Sequence, residues 1–362
     1  MKTKTRVCAA LLALSMAAAL SACGGGETAT TAAMTQKSQV TSGAQDNGGS
    51  SAETTAAQNP TVSGDVKKIG VIQLAEHPAL DAGYQGFVDA LSDLGYTDGE
   101  NIVIDFNNAG GDTANCTTIA DKLVNNKSDL ILAIATPAAQ AVASKTTEIP
   151  IVGTAITDFA VAGLADTNEA PGGNVSGSSD LNPVAEQLSL LTQILPDAKT
   201  VGILYCSSED NSRLQADMAK AECEKLGLTW EEFTVSDSST IQAVTESMIG
   251  KVDAVYVPTD NLLAEGMSTV TMVTNANNLP CIVGEEGMVQ NGGLATYGLS
   301  YYNLGRLAGE MAAKVLEGAK IGEQPVAYLA ASDCTLCINT TAAADLGITI
   351  PEDLLSQATI IE

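Results

Sequence analysis

The chain holds one histidine, His77, among 362 residues; arginine occurs only at Arg6, Arg213 and Arg306, and aromatic residues make up 4%. Each scarcity closes a class of function. A metal hydrolase needs clustered His, Asp and Glu ligands, and a Ser–His–acid triad would have to rest on His77 alone. No Gly-x-Ser-x-Gly elbow precedes a helix, and no Gly-rich phosphate loop follows a strand. Gly24–Gly26 and Gly48–Gly49 fall in low-complexity sequence, and Gly172–Gly173 reads as a turn before NVSGSSD. No enzyme, metal or cofactor is expected. Basic residues number 17 against 43 acidic, a net charge of −26, which argues against nucleic acid and anionic membrane surfaces as partners.

Cysteine is present but scattered. Beyond Cys23 there are Cys116, Cys206, Cys223, Cys281, Cys334 and Cys337. Cys206 and Cys281 fall in apolar runs that read as strands, Cys116 and Cys223 in helical stretches, where free Cys acts as a small apolar residue. Cys334-x-x-Cys337 has half-site spacing, yet TLCIN reads as a strand whose positions three apart face opposite sides. With no second pair following, neither a zinc site nor a disulfide framework is expected.

What is present begins with an export signal. Lys2, Lys4 and Arg6 precede the small and apolar run Val7–Leu20, which is shorter than the ~20 residues needed to span a bilayer. It ends in Leu20-Ser21-Ala22-Cys23, which matches the lipobox of bacterial lipoproteins and makes 1–22 a signal peptide. Cys23 is then the lipid attachment point, and the protein is extracytoplasmic and lipid-anchored to the cell membrane. Loss of the leader's three basic residues leaves 14 basic against 43 acidic, a net charge of −29. Residues 23–65, rich in Thr, Ala, Gly, Ser and Gln, read as a disordered tether. About 300 residues remain, enough for two lobes.

Those residues carry one plan twice. IGVIQL (69–74), NIVIDF (101–106), SDLILAIATPAAQ (128–140) and EIPIVGTAITD (148–158) alternate with helical stretches. So do TVGILYC (200–206), LTWEEFTV (228–235), VDAVYVPTDN (252–261) and NLPCIVGEEG (278–287). Each apolar run reads as a strand buried on both faces. The alternation predicts an α/β fold of two Rossmann-like lobes with parallel sheets, with ligands beyond the carboxyl ends of the strands.

The polar tails after the strands suit a zwitterion. Thr136-Pro137-Ala138 opens a helix, with Thr as cap and Pro first in the helix. Its free N–H groups suit a carboxylate, though plain capping serves as well. Pro258-Thr259-Asp260-Asn261 holds the matching place in the second half, where an acid suits an ammonium. Glu285, Glu286, Asp158 and Asp180 add acids at other strand ends; simple solvation is their alternative role. His77, before Pro78, either meets ligand or is satisfied within its loop.

The segments IGVIQLAEHPALDAGYQGF, IATPAAQAVA, VSGSSDLNPVAEQ, ILYCSSEDNS, VYVPTDN, GEEGMVQNGGLATYGLSYYNLG and LGITIPEDLL resemble ABC-transporter substrate-binding proteins of the tryptophan/tyrosine-binding type, over essentially 66–362. The resemblance implies a type I periplasmic-binding fold with a three-strand hinge, capture of a small ligand such as an aromatic amino acid by hinge closure, and delivery to permease and ATPase subunits. It implies ligand-side roles for Glu76, His77, Thr136, Ala138, Thr157, Asp158, Ser207, Ser208, Asp260, Asn261 and Glu285. Two positions depart from the expected family pattern: Cys206 where Asn is expected, and Phe159 where Pro is expected. Phe159, Tyr84, Tyr205 and Tyr297 are candidates for stacking on an aromatic ligand.

The hinge should leave the first lobe near Ser179–Leu181, with Asn182-Pro183 capping the next helix, return near Thr296–Ser300, and cross last near Val326–Ala331. The lobes are then 66–180 plus 298–325 and 181–297 plus 326–362, in a monomer. A nucleoside or other small-molecule binder on the same fold, and a sensory lipoprotein presenting ligand to a receptor, are the other readings. Scarce arginine weakens a sugar or dicarboxylate ligand.

Overall fold

The computed structural model describes residues 66–362; the signal peptide, the tether and Cys23 lie outside the described residues. Strands β1 (Lys67–Gln73), β2 (Ile102–Asn108), β3 (Leu130–Ile134), β4 (Ile151–Ile156) and β5 (Val175–Ser179) form a sheet in the order β2-β1-β3-β4-β5. All its pairs are parallel. Helices α1 (Pro78–Asp93), α2 (Thr113–Asn125) and α3 (Thr136–Ala143) are its crossovers.

The second sheet runs β12-β11-β10-β9-β8-β6-β7. Its strands are β6 (Thr200–Cys206), β7 (Thr229–Val235), β8 (Ala254–Val257), β9 (Cys281–Val283), β10 (Ala295–Gly298), β11 (Thr335–Asn339) and β12 (Thr359–Ile361). Only the β10–β11 pair is antiparallel. Helices α4 (Val184–Ile194), α5 (Asp210–Leu226), α6 (Ile241–Glu246), α7 (Asn261–Glu265), α8 (Met267–Ala276), α9 (Glu286–Gln290), α11 (Thr340–Asp345) and α12 (Glu352–Leu355) connect and cover it.

The α/β fold with parallel sheets is thus as the alternating pattern predicts. β3, β4, β6 and β8 are apolar runs buried nearly throughout, as central parallel strands must be. β2 and β7 differ: their residues alternate with solvent, because each stands at a sheet edge.

Helix α10 (Tyr301–Leu316) follows the second sheet's β10 in sequence but packs on the first sheet's core, with Leu304, Ala308, Met311 and Ala312 buried there. Its contact with α1 is backbone to backbone. A Cβ on Gly305 would overlap the Gly83 carbonyl, and one on Gly86 would overlap the Tyr302 carbonyl.

Three segments link the sheets: β5 to α4, β10 to α10, and the chain after Ala327, which bridges to Ser178 before reaching β11. Val326, Ala327, Leu329 and Cys334 still pack on the first core, past the expected boundary at 325. Asn182 does not cap α4, whose N-cap is Pro183 without a side-chain bond. Its amide instead accepts from Leu299 N–H (3.1 Å) and donates to Thr259 Oγ1 (3.1 Å), tying two crossings together.

Gly305→Val should cost about 1–3 kcal/mol through overpacking against the α1 backbone. Urea unfolding will show this as a lower midpoint, and an unchanged midpoint would mean the helices have room to spare.

Candidate functional site

The carboxyl ends of both sheets' strands face a common space. Its outer part is a cavity of about 660 Å³ between the ends of β1, β2 and α3 on one side and those of β6, β7 and β8 on the other. Deeper lies a pocket of about 20 Å³, lined by His77, Asp180, Asn211, Thr259, Asp260, Glu285 and Tyr301 among others. Ala75 and Asn261 line both.

The acids come without basic partners. Asp112, Glu209, Asp237 and Glu265 line the outer cavity, Asp180, Asp260 and Glu285 the inner pocket, and no Lys or Arg lines either. Local structure fixes the inner three. Asp260 caps α7, accepting from Leu263 N–H (2.8 Å) and from Cys206 N–H (2.5 Å). Glu285 caps α9 through Gly287 and Met288 N–H (2.6 and 2.7 Å). Asp180 accepts from Thr157 Oγ1 and Tyr301 OH, both at 2.9 Å. Burial outweighs these donors and raises all three carboxyls, Asp260 and Glu285 to about 7.

Several buried polar atoms in and around the space lack a hydrogen-bond partner: Gln73 Oε1, His77 Nε2, Thr136 Oγ1, Asn211 Oδ1 and Gln215 Oε1. The amide orientations are set by what the nitrogens meet. Gln73 Nε2 donates to Ala75 O (2.7 Å) and Asp81 Oδ1 (2.6 Å), Gln215 Nε2 to Thr259 O (3.1 Å), and Asn211 Nδ2 to Glu209 Oε2 (3.2 Å). Each partner is an acceptor, so each amide oxygen is the atom left over. A native fold leaves few such atoms.

The two halves touch across the space. Gln140 Nε2 on α3 donates to Asp210 Oδ2 on α5 (2.8 Å), and Gln215 Nε2 reaches Thr157 Oγ1 (3.5 Å). His77 Nε2 stands 3.7 Å from Glu285 Oε1. Ala135 and Ala155, at the ends of β3 and β4, have φ of 82° and 56°. Such backbone costs of order 1–3 kcal/mol and gathers at functional sites.

Of the residues singled out from sequence, His77, Asp260, Asn261 and Glu285 line the inner pocket, and Ser208 and Asn261 the outer cavity. Thr157 is buried in the Asp180 network. Thr136 is buried but does not cap: the N-cap of α3 is Ala135, so Thr136 is the first helical residue and Pro137 the second. Ala138 is buried beside them. Glu76 and Ser207 are exposed and line neither space. Asp158 is spent on its own loop, accepting from Val161 N–H and Asn168 Nδ2.

None of the four aromatic candidates lines either space. Phe159 is fully buried against Gly153 in the first core. Tyr84 packs on Phe106 with ring centroids 4.6 Å apart. Tyr205 donates to Glu232 (2.5 Å) under Lys220, and Tyr297 packs on the second core. Sequence reasoning missed Tyr301, Asn211, Gln215 and Gln73. Tyr301 had a signal, the one aromatic opening a helix directly after a crossing; the three amides had none in their spacing. All six cysteines among the described residues are free.

Residues 68–361 match the family model for ABC transporter substrate binding protein. The chain is 44% identical over 286 residues, 79% of this chain and 83% of the other, to a tyrosine-binding protein of Clostridioides difficile. It is similar to the structure of an ABC domain in complex with L-Trp from Streptococcus pneumonia: 42% identity, 82% of this chain and 99% of that one, TM-score 0.79. A Clostridium difficile substrate-binding protein with adhesive properties, in its ligand-free, open structure, has the same coverage and 43% identity but a TM-score of 0.65. At matched identity and coverage, the higher score against the L-Trp complex fits the direct contacts across the cleft seen here.

Stability should fall between pH 6 and 8. Glu285 and Asp260 titrate near 7 when buried and near 4 when unfolded, so their contribution is complete below about 4 and lost as pH rises through 7. His77 is lowered, chiefly by burial, and opposes this by losing stability as pH falls below its unfolded value. The carboxyls outnumber it, giving a net loss of about 1–3 kcal/mol from pH 6 to 8. Urea unfolding of unliganded protein at both values checks the sign; greater stability at pH 8 would contradict it.

Proposed function

The chain belongs to the family of ABC transporter substrate-binding proteins, and from that premise we propose that it captures an aromatic amino acid outside the cytoplasm and presents it to a permease and its ATPase. Lipid attachment at Cys23 through a tether, closure of two lobes about three crossings, and the absence of chemistry on the ligand are parts of the same reading. The observation that carries it is the set of buried polar atoms contributed by both halves and left without partners, two of them on His77 and Asn211, which line the inner pocket. The acids of the outer cavity, unaccompanied by Lys or Arg, suit the ligand's ammonium. The start of α3, with free N–H groups and an unpartnered Thr136 hydroxyl, suits its carboxylate. The tyrosine-binding relative and the L-Trp complex support an aromatic side chain.

Ligand binds one lobe in the open form, and contacts from the other then stabilise the closed form. Saturation at 100 times the dissociation constant adds about 2.7 kcal/mol, a thermal shift of roughly 4 °C for a protein of this size. Tyr, Trp or Phe should produce it; sugars, nucleosides and dicarboxylates should not. A shift with one of those classes alone would overturn the ligand class and leave the family standing.

Thr136→Val separates a ligand role from a structural one. Removing an unpaired buried hydroxyl should leave stability unchanged or raised, while loss of its hydrogen bond to the ligand weakens binding about tenfold. Calorimetry on the variant checks both, and unchanged affinity would take Thr136 out of the site.

A further inference from the structure

The inner pocket is too small for the body of an amino acid and has a polarity that selects what enters it. Its volume, about 20 Å³, is that of a single water-sized group. Two buried side chains contributed by opposite halves meet there, His77 at the start of α1 and Glu285 at the start of α9. Gly287 lets α9 come this close: a Cβ there would stand 2.9 Å from His77 Cε1.

The hydrogen positions follow from the partners. His77 Nδ1 accepts from Ala79 N–H (3.3 Å) and so carries no proton. Burial keeps the ring from charging, which puts its one proton on Nε2. That N–H has no partner. Glu285 Oε1, at 3.7 Å, is beyond hydrogen-bond reach. Each oxygen of the three carboxyls accepts one bond, Asp180's from Thr157 and Tyr301, Asp260's from Cys206 and Leu263, and Glu285's from Met288 and Gly287, so each keeps a second lone pair. Of the three, Glu285 is the one that comes within 4.0 Å of His77 Nε2. The pocket therefore presents a donor needing an acceptor beside a carboxyl with lone pairs to spare.

We propose that His77 and Glu285 together read a ring hydroxyl, so that the preferred ligand is a phenolic amino acid, tyrosine, over phenylalanine and tryptophan. The proposal rests on the aromatic amino-acid reading above. A hydroxyl both accepts and donates: its oxygen takes the proton of His77 Nε2–H while its own proton goes to Glu285. An ammonium only donates and would meet the His77 N–H donor to donor. An indole N–H only donates, leaving Nε2–H unpaired. A phenyl ring leaves both groups unpaired. The ring itself lies in the outer cavity, which shares Ala75 and Asn261 with the lining of the pocket.

The test is calorimetry on the purified protein with L-tyrosine, L-phenylalanine and L-tryptophan, repeated on His77→Asn. Asn is itself a favoured N-cap, so the variant keeps the end of α1 while its shorter side chain falls short of the hydroxyl. Tyrosine should bind at least ~100-fold more tightly than phenylalanine, since a site built to pair a hydroxyl rejects the analogue lacking it. In His77→Asn the ratio should shrink by about tenfold or more, through weaker tyrosine binding at unchanged phenylalanine binding. Equal binding of the two by the native protein, tighter binding of tryptophan than tyrosine, or an equal loss for all ligands in the variant would overturn the proposal. Binding of none of the three would instead bring down the aromatic reading, and this inference with it.

Discussion

Closing two lobes over a cleft removes water from every polar group between them, and each group left unpaired costs about 1–3 kcal/mol. Here His77 Nε2–H and the amide oxygen of Asn211, from the two halves, belong to residues lining the inner pocket, and Thr136 Oγ1 and the amide oxygen of Gln215 are likewise buried without a partner. Three carboxyls are buried alongside, and burial drives each toward its neutral form. These costs fall on the closed arrangement and are relieved by a ligand whose donors and acceptors match. The few direct bonds across the cleft, Gln140 to Asp210 and Gln215 to Thr157, offset them only in part. Ligand affinity and lobe closure are thereby linked, as a capture protein requires.

The same network joins the site to the hinge. Asp180 follows β5 at the first crossing, and Tyr301 opens α10 at the second; they bond to each other while both line the inner pocket. Asn182, one crossing residue, holds the backbone of Leu299, another, and the side chain of Thr259 beside Asp260. A group entering the pocket therefore contacts the residues whose backbone must turn when the lobes close. Farther out the body is rigid: α1 and α10 meet through glycines, and the central strands have no exposed face. The proposed closure would therefore fall on the crossings.

The architecture was legible because it rests on strong, local signals. TVGILYC marks β6 at its observed bounds, and IGVIQL overlaps β1 closely. The runs at β2 and β7 were just as visible as strands, but their place at the sheet edges follows from strand order, which periodicity does not carry. Asp260, Asn261 and Glu285 were found because polar residues after strands stand at the cleft in a fold of this kind. The aromatic candidates fared otherwise. Position near a strand end does not say which way a ring turns, and in a chain this poor in aromatics Phe159 and Tyr205 go to packing and to Glu232. Thr136 lost its capping role to the backbone of Ala135, a left-handed turn that no alanine advertises. Asn211 and Gln215 matter through the oxygen each leaves unpaired, which depends on both nitrogens meeting the Thr259 carbonyl, 48 and 44 residues along the chain.

Small-angle X-ray scattering at pH 8, with and without saturating L-tyrosine, measures the link between pairing and closure most directly. With Glu285 and Asp260 ionised and the buried polar atoms unpaired, the free protein should be open, and ligand should lower the radius of gyration. Lowering the pH to 5 without ligand should move the free protein part of the way toward the closed value. An identical radius in all three conditions would contradict the account, because the buried groups would then place no cost on the closed lobes for a ligand to remove.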